Sequence, residues 1–184
     1  MSHPLQNCSL FLIGMMGVGK TTVGQELAKE LNYRFFDTDS LIERVAGKPI
    51  PEIFATDGEA AFRQLESQVL GQLSAQTRSI VATGGGIILK PENWSYLRHG
   101  IVVWLDIPAP VLYDRLRADS SRPLLQTADP LQTLQELCDR RCSLYAQADL
   151  HLTLSGIEPP ARVAEQILTE LPNILKPKSE TNLN

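Results

Sequence analysis

The sequence predicts an α/β fold in which a five-stranded parallel sheet is flanked by helices. Five short apolar segments are spread along the chain, and most are continuous rather than alternating, as in strands that are covered on both faces. Segments with helical periodicity lie between them, and strands that alternate with helices usually form a parallel sheet. The predicted strands are Cys8–Ile13, Tyr33–Phe36, Ser79–Ala82, Ile101–Leu105 and Leu150–Leu154.

The helical segments are recognised by apolar residues that recur every three or four positions. These residues are Val23, Leu27 and Leu31; Leu65, Val69 and Leu73; Val111, Leu112 and Leu116; Leu131, Leu134, Leu137 and Leu144; and Val163, Ile167 and Leu171. A polar segment with two prolines, residues 119–130, interrupts this pattern, and we interpret it as a mobile lid or as a long connection. We therefore expect one domain over residues 1–171 and a polar C-terminal tail over residues 172–184.

The composition excludes several classes of protein. The chain has 184 residues, of which 43% are hydrophobic and 21% charged, as in a water-soluble domain. Its net charge of −4 disfavours non-specific nucleic-acid binding. No apolar run reaches the ~20 residues of a membrane span, and few residues precede the first strand. We therefore expect a cytoplasmic protein that binds neither nucleic acid nor membrane and that is a monomer.

The first strand runs directly into a glycine-rich segment that fits the phosphate-binding pattern G-x-x-x-x-G-K-[ST]. Glycines allow the backbone N–H groups to approach phosphates, and the start of the next helix attracts the same anion. Lys20 is expected to reach the terminal phosphates of a nucleotide, and the hydroxyl of Thr21 to bind Mg²⁺. The predicted nucleotide contacts are Gly14, Met15, Met16, Gly17, Val18, Gly19, Lys20, Thr21 and Thr22.

Two aspartates follow the second predicted strand. Residues i and i+2 leaving a strand point the same way, so Asp37 and Asp39 can face one site. There, one carboxylate can support Mg²⁺ and the other can accept the proton of an acceptor hydroxyl. The alternative is that these aspartates cap a helix. Asp106 could also support Mg²⁺ after an apolar strand, but we interpret its segment as a core strand.

Two further segments fit a small acidic polyol. Arg63 is three residues from Glu66 on a predicted helix, so Glu66 can orient its guanidinium to bind a carboxylate. The alternative is an ordinary surface ion pair. Gly84, Gly85 and Gly86 follow the third strand, where such folds bind ligands and where glycines allow a close approach. The alternative there is a flexible turn.

Taken together, these segments resemble the shikimate kinases. The resemblance is carried by the phosphate loop, DTD at 37–39, GEAAFRQLE at 58–66, GGG at 84–86, RPLL at 122–125 and RCSLY at 141–145, and it extends from about Cys8 to about Leu171. It implies a P-loop kinase fold with a lid, related to nucleoside monophosphate kinases. It also implies transfer of the γ-phosphoryl group of ATP, with Mg²⁺, to the 3-hydroxyl of shikimate on the pathway to chorismate and the aromatic amino acids.

The resemblance also implies roles for individual residues. Asp39 would contact the reacting hydroxyl, and Asp37 would support Mg²⁺ with Thr21. The shikimate site would consist of Arg63 and Arg141 on the carboxylate, Gly84, Gly85 and Gly86 near the hydroxyls, and Phe54 and Phe62 against the ring. Arg122 would be the lid arginine that reaches the phosphates, joining Lys20 and Asp39 as a catalytic residue. Arg115 would lie near the adenine.

Two other functions remain open at this point. The chain could be a related small-molecule kinase, for gluconate or a nucleoside monophosphate. Two arginines placed for a carboxylate, beside a triple glycine, disfavour that alternative. It could also be a nucleotide-binding protein without catalytic activity. The presence of every charged group that the chemistry needs disfavours this second alternative.

Overall fold

The structure is a computed structural model that describes residue 5, residues 7–117 and residues 127–175. Five strands in this part of the chain form one sheet in the order β2-β3-β1-β4-β5, and every pair of neighbours is parallel. The predicted five-stranded parallel sheet is therefore confirmed. The strands are β1 (Leu10–Ile13), β2 (Arg34–Asp37), β3 (Ser79–Ala82), β4 (Ile101–Asp106) and β5 (Leu150–Thr153).

Helices connect the strands and flank the sheet. Helices α1 and α8 pack against each other, α4 packs against α5, and α7 packs against α6 and a short 3₁₀ helix at Ile87–Leu89. No helix among the described residues is long and apolar enough to span a bilayer. The α-helices are α1 (Lys20–Leu31), α2 (Thr38–Ala46), α3 (Ile50–Thr56), α4 (Gly58–Ser74), α5 (Pro91–Leu97), α6 (Ala109–Leu116), α7 (Pro130–Tyr145) and α8 (Pro160–Leu175).

The position of a strand in the sheet decides how deeply it is buried. All residues of β1 and β3 are buried, as are the first five of β4, which agrees with the continuous apolar runs in the sequence. The two edge strands differ from that expectation: β2 is exposed or half-buried, and β5 alternates between half-buried and exposed residues. An edge strand has a neighbouring strand on one side only, so its other side is left open to solvent and its residues are less buried.

The C-terminal helix extends beyond the predicted boundary of the domain. Helix α8 continues through Pro172 to Leu175, so the first four residues of the predicted tail are helical. Leu171 is fully buried, and Ile174 and Leu175 pack against the core from the last turn. This packing explains why the helix continues past a proline, whose ring would ordinarily disrupt it.

Parallel strands end at one edge of the sheet, and this places the predicted site. The loops that follow β1, β2 and β3 all begin at that edge. The chain passes from β1 towards β2 on one side of the sheet and reaches β4 on the other side, so the strand order reverses next to β1. Ligands of open α/β sheets bind outside the carboxyl ends of strands at such a reversal.

Candidate active site

The segment between β1 and α1 has the backbone of a phosphate-binding loop. Gly14 has a φ of 141°, and a β-carbon there would overlap the carbonyl oxygen of Leu105, so a side chain has no room. Gly19 has a φ of 98° and is the N-cap of α1, although it offers no side chain to bind the free N–H groups of the first turn. Those N–H groups and the positive end of the helix dipole therefore remain available to an anion.

Lys20 is the first residue of α1 and lies beneath this loop. Its side chain is buried, and its Nζ atom donates hydrogen bonds of 2.8 Å each to the carbonyl oxygens of Gly14 and Met15. These contacts hold the positive charge next to the loop, where it can meet the phosphate charge of a nucleotide. The sequence analysis placed Lys20 in the phosphate loop, and the contact that it predicted between Lys20 and the phosphates of a nucleotide stays a prediction.

Asp37 connects the phosphate loop to the end of β2. Its Oδ2 atom accepts a hydrogen bond of 2.8 Å from the hydroxyl of Thr21, so the two predicted metal-binding groups are neighbours. Its Oδ1 atom accepts hydrogen bonds from the backbone N–H groups of Asp39 and Ser40, which caps α2. Asp37 thus caps a helix and also faces the loop, so the two interpretations of this residue are compatible.

Asp39 faces the same site for a different reason from the one expected. The sequence argument took Asp37 and Asp39 as alternate residues that leave a strand in extended conformation, and that geometry is wrong because β2 ends at Asp37 and Asp39 lies in the first turn of α2. The helix turns its carboxylate towards the loop after β3: a β-carbon on Gly84 would be 2.7 Å from Asp39 Oδ1. Thr38 helps to fix this arrangement, since its buried Oγ1 atom accepts a hydrogen bond of 2.9 Å from the N–H group of Gly84. The sequence analysis missed this role of Thr38.

Arg63 and Glu66 form an internal ion pair on α4. Arg63 Nη1 donates a hydrogen bond of 2.8 Å to Glu66 Oε2, and the exposed side-chain fractions are 16% for Arg63 and 1% for Glu66. The alternative of an ordinary surface ion pair is therefore excluded. Burial raises the pKa of the Glu66 carboxyl, and the hydrogen bond from Arg63 opposes that rise. The guanidinium also lies directly against the loop after β3, because a β-carbon on Gly86 would be 2.7 Å from Arg63 Cζ.

Arg141 reaches the same loop from α7. Its Nη1 atom donates a hydrogen bond of 3.1 Å to the carbonyl oxygen of Gly85. The structure thus brings together Arg63 and Arg141, which are far apart in the sequence, at the two ends of the Gly85–Gly86 backbone. Gly85 in turn lies against the phosphate loop, since a β-carbon on it would be 3.4 Å from the backbone nitrogen of Met16.

Two phenylalanines in mutual contact lie near Arg63. The ring centroids of Phe54 and Phe62 are 4.6 Å apart, and the Arg63 guanidinium is 5.1 Å from the centroid of Phe62. Phe62 is buried whereas Phe54 is 39% exposed, which is unusual for a phenylalanine. The exposed ring of Phe54, packed on the Phe62 ring that lies beside Arg63, is suited to cover a small ligand.

A cavity of about 220 Å³ adjoins the phosphate loop at Val18 and Gly19. Arg115 spans it: Nη1 donates a hydrogen bond of 3.0 Å to the carbonyl oxygen of Gly17, and Nη2 donates one to that of Gly156. The sequence analysis named Arg115 but missed the segment after β5, which supplies much of the wall. The lining residues are Val18, Gly19, Thr22, Val23, Ile107, Arg115, Leu154, Gly156, Glu158, Pro160 and Val163.

Two further sequence predictions concern the carboxylate that supports Mg²⁺ and the lid. Asp106, the alternative candidate for Mg²⁺, has its carboxylate 2.9 Å from Nε2 of His151 on the neighbouring strand, whereas Thr21 is bonded to Asp37. Which of the two carboxylates supports Mg²⁺ stays a prediction. Arg122 and residues 119–126 of the predicted lid lie outside the described residues, so their roles stay predictions.

Comparison with known proteins identifies the family. The family model described as shikimate kinase matches residues 16–172. A shikimate kinase from Microcystis aeruginosa is 55% identical over 174 residues, which are 95% of this chain and 92% of the relative. The chain belongs to the shikimate kinase family. It is therefore an ATP-dependent phosphotransferase that acts on a hydroxyl group.

Solved structures agree with this assignment. A shikimate kinase from Acinetobacter baumannii, solved in complex with shikimate, is 40% identical with a TM-score of 0.84, and the match covers 92% of this chain and 96% of that one. A gluconokinase from Sinorhizobium meliloti is 18% identical with a TM-score of 0.55 over 91% of this chain and 93% of its own. The second likeness shows a shared fold alone, so it does not support the gluconate kinase alternative.

Proposed function

We propose that the chain transfers the γ-phosphoryl group of Mg²⁺-bound ATP to the 3-hydroxyl of shikimate, and that it does so as a cytoplasmic monomer. The observation that carries this proposal is the meeting of Arg63 and Arg141 at the Gly84–Gly86 loop, with Asp39 beside the same loop. Two cations and one carboxylate around a glycine backbone match an acceptor that has one carboxylate and several hydroxyls.

The nucleotide would lie along the N-terminus of α1. The residues from Gly14 to Thr22 would surround its phosphates with backbone N–H groups, and Lys20 would neutralise phosphate charge from beneath the loop. The cavity beside Arg115 would take the adenosine, because it adjoins Gly19 and Thr22 and has an apolar wall that includes Ile107 and Leu154. Arg115 would close this cavity near the base.

Thr21 and Asp37 fit a magnesium site. Their oxygens are 2.8 Å apart, and hydroxyl and carboxylate oxygens are ligands that Mg²⁺ prefers. Mg²⁺ commonly takes only one or two protein oxygens and completes its coordination with water and phosphate oxygens. When bound, the ion would neutralise charge on the phosphate oxygens.

The acceptor would be oriented by its carboxylate. Arg63 and Arg141 would bind the two carboxylate oxygens, and the Glu66 carboxylate would keep the Arg63 guanidinium in the required direction. Phe54 and Phe62 would lie along the carbon ring. The Gly84–Gly86 backbone would approach the hydroxyls and place the reacting one next to Asp39.

The transfer step would depend on position and charge more than on covalent chemistry. Asp39 would hold the 3-hydroxyl in line with the γ-phosphoryl group and accept its proton as the new P–O bond forms. The bond between the γ-phosphorus and the bridging oxygen would break in the same step, and ADP would leave with that oxygen. Lys20 would stabilise the charge on the transferred group, and Arg122 would join it from the predicted lid.

An acceptor panel tests the proposal. The protein is incubated with ATP and Mg²⁺ together with shikimate, gluconate or a nucleoside monophosphate, and release of ADP is measured. We expect rapid release with shikimate only, and a product whose ³¹P coupling in the NMR spectrum places the phosphate at carbon 3. A higher kcat/KM for another acceptor, or no acceptor-dependent release at all, would contradict it.

A further inference from the structure

The carbonyl oxygen of Gly85 accepts two hydrogen bonds from the same helix. One comes from Arg141 Nη1 at 3.1 Å, and the other comes from the Tyr145 hydroxyl at 2.7 Å. Arg141 and Tyr145 are four residues apart on α7, so they lie on one face of the helix. Both donors therefore converge on the middle residue of the loop that would bind the acceptor.

The Tyr145 hydroxyl is held in place from several sides. Its side chain is 1% exposed, and its ring stacks on Trp104 with centroids 5.6 Å apart. Its oxygen also lies 3.7 Å from the sulfur of Met15 in the phosphate loop. Burial raises the pKa of Tyr145 to about 12, so the hydroxyl keeps its proton and remains a donor at neutral pH.

The two donors differ in what a bound acceptor would do to them. Under the proposed function, the Arg141 guanidinium turns to the shikimate carboxylate and its hydrogen bond to Gly85 weakens. A carbonyl oxygen has two lone pairs, and losing every partner in a partly buried position is unfavourable. The Tyr145 hydroxyl keeps one partner on this oxygen while Arg141 moves.

We infer that Tyr145 is a positioning residue for acceptor binding: by holding the Gly85 carbonyl oxygen, it releases Arg141 to bind the acceptor carboxylate. This inference rests on the proposed function of Arg141. Without the hydroxyl, Arg141 is the partner that Gly85 retains, and the acceptor must compete with that carbonyl for the guanidinium.

The substitution Tyr145→Phe isolates the hydroxyl, because phenylalanine keeps the ring that stacks on Trp104. We expect the Kd of shikimate, measured by calorimetry, to rise about three- to tenfold, the equivalent of one hydrogen bond. The Kd of ATP should be unchanged. Tyr96→Phe is the matched control, since it removes a hydroxyl from a partly buried tyrosine of α5 outside the site, and it should leave both values unchanged.

A double-mutant cycle with Arg141→Ala separates positioning from general packing. If Tyr145 acts through Arg141, Tyr145→Phe should no longer alter shikimate binding when Arg141 is already alanine. An equal loss in both backgrounds would overturn the inference, as would normal shikimate binding by Tyr145→Phe alone. Failure of the proposed function has a different signature: Arg141→Ala by itself would then bind shikimate like the wild type.

Discussion

The substitution Gly86→Ala tests the acceptor site without removing a single functional group. The backbone of Gly86 tolerates alanine, since its φ is −98°. The added β-carbon, however, would overlap Arg63 Nη1, the atom that bonds to Glu66, and would lie 2.7 Å from both Cζ and Nη2, where ordinary contacts begin at 3.4 Å. The guanidinium must therefore move by more than about 0.7 Å, or the loop must move away from it.

The size of the effect follows from the bonds that this movement disturbs. Arg63 would lose alignment both with Glu66, 2.8 Å away, and with the proposed acceptor carboxylate. A hydrogen bond to a charged group contributes about 1.5–3 kcal/mol, so the KM for shikimate should rise about ten- to a hundredfold. Because the hydrogen bond from Arg63 to the buried Glu66 would be weakened, the free energy of unfolding should fall by about 1–3 kcal/mol, which corresponds to a few degrees in Tm.

Steady-state kinetics with a coupled assay for ADP, together with a thermal melt, measure both effects. Gly71→Ala is the matched control because it adds the same methyl group to the helix that carries Arg63. At Gly71 the nearest atom would be 3.4 Å away, on the flexible Tyr96 side chain, and alanine favours the helix. We expect that control to keep normal kinetics. A Gly86→Ala enzyme with a normal KM for shikimate would refute the proposed position of Arg63.

Three further predictions concern the other parts of the site. Lys20→Ala should abolish turnover and leave a folded protein, because alanine suits the first turn of α1; near-normal kcat in a folded variant would contradict the assignment. Asp39→Asn should lower kcat about 10²- to 10⁴-fold with ATP affinity retained, and a loss below about threefold would exclude both orientation and proton transfer by Asp39. Backbone hydrogen bonds, first of all from Ser155, lower the pKa of Glu158 from the ordinary 4.5 to about 2, so its stabilisation of the turn at the nucleotide cavity is present above about pH 4.5 and is lost as the pH falls through about 2. An NMR titration of the Glu158 carboxyl with a midpoint above 4 would disprove this.

The sheet and the phosphate loop could be predicted because their signals are local. Strand Ser79–Ala82 was predicted with its observed bounds, since a continuous apolar run indicates a buried central strand. Gly14, Gly17 and Gly19 of the phosphate loop have φ values of 141°, 80° and 98°, a backbone conformation that few other residues adopt.

Contacts between distant segments could not be predicted in the same way. Nothing in the sequence around Leu154–Val163 indicates that it lines the cavity beside Arg115, because that depends on how β5 and α8 lie against the phosphate loop. The sequence around His151 likewise does not indicate what that residue contacts. Its ring stacks on Trp104 at 3.7 Å and bonds to Asp106, because parallel pairing sets His151 opposite Trp104.

The burial of the Arg63–Glu66 ion pair also could not be predicted from the sequence. The spacing of Arg63 and Glu66 is equally consistent with a surface ion pair and with an oriented binding group. What decides between them is the burial of Glu66 under the loop after β3, a contact between α4 and a segment about twenty residues away. Asp39 is the reverse case: its position was expected, although the strand geometry that led to the expectation was wrong.

The choice of acceptor is the central claim, and one kinetic comparison tests it most directly. The kcat/KM for shikimate is compared with that for an analogue in which a neutral hydroxymethyl group replaces the carboxylate, in the wild type and in Arg63→Ala. Removing one partner of a charge-assisted pair costs about 2–5 kcal/mol, so the wild type should prefer shikimate by one to four orders of magnitude. Arg63→Ala should reduce that preference. Equal use of both acceptors by the wild type would contradict carboxylate recognition by Arg63 and Arg141, and with it the proposed acceptor site.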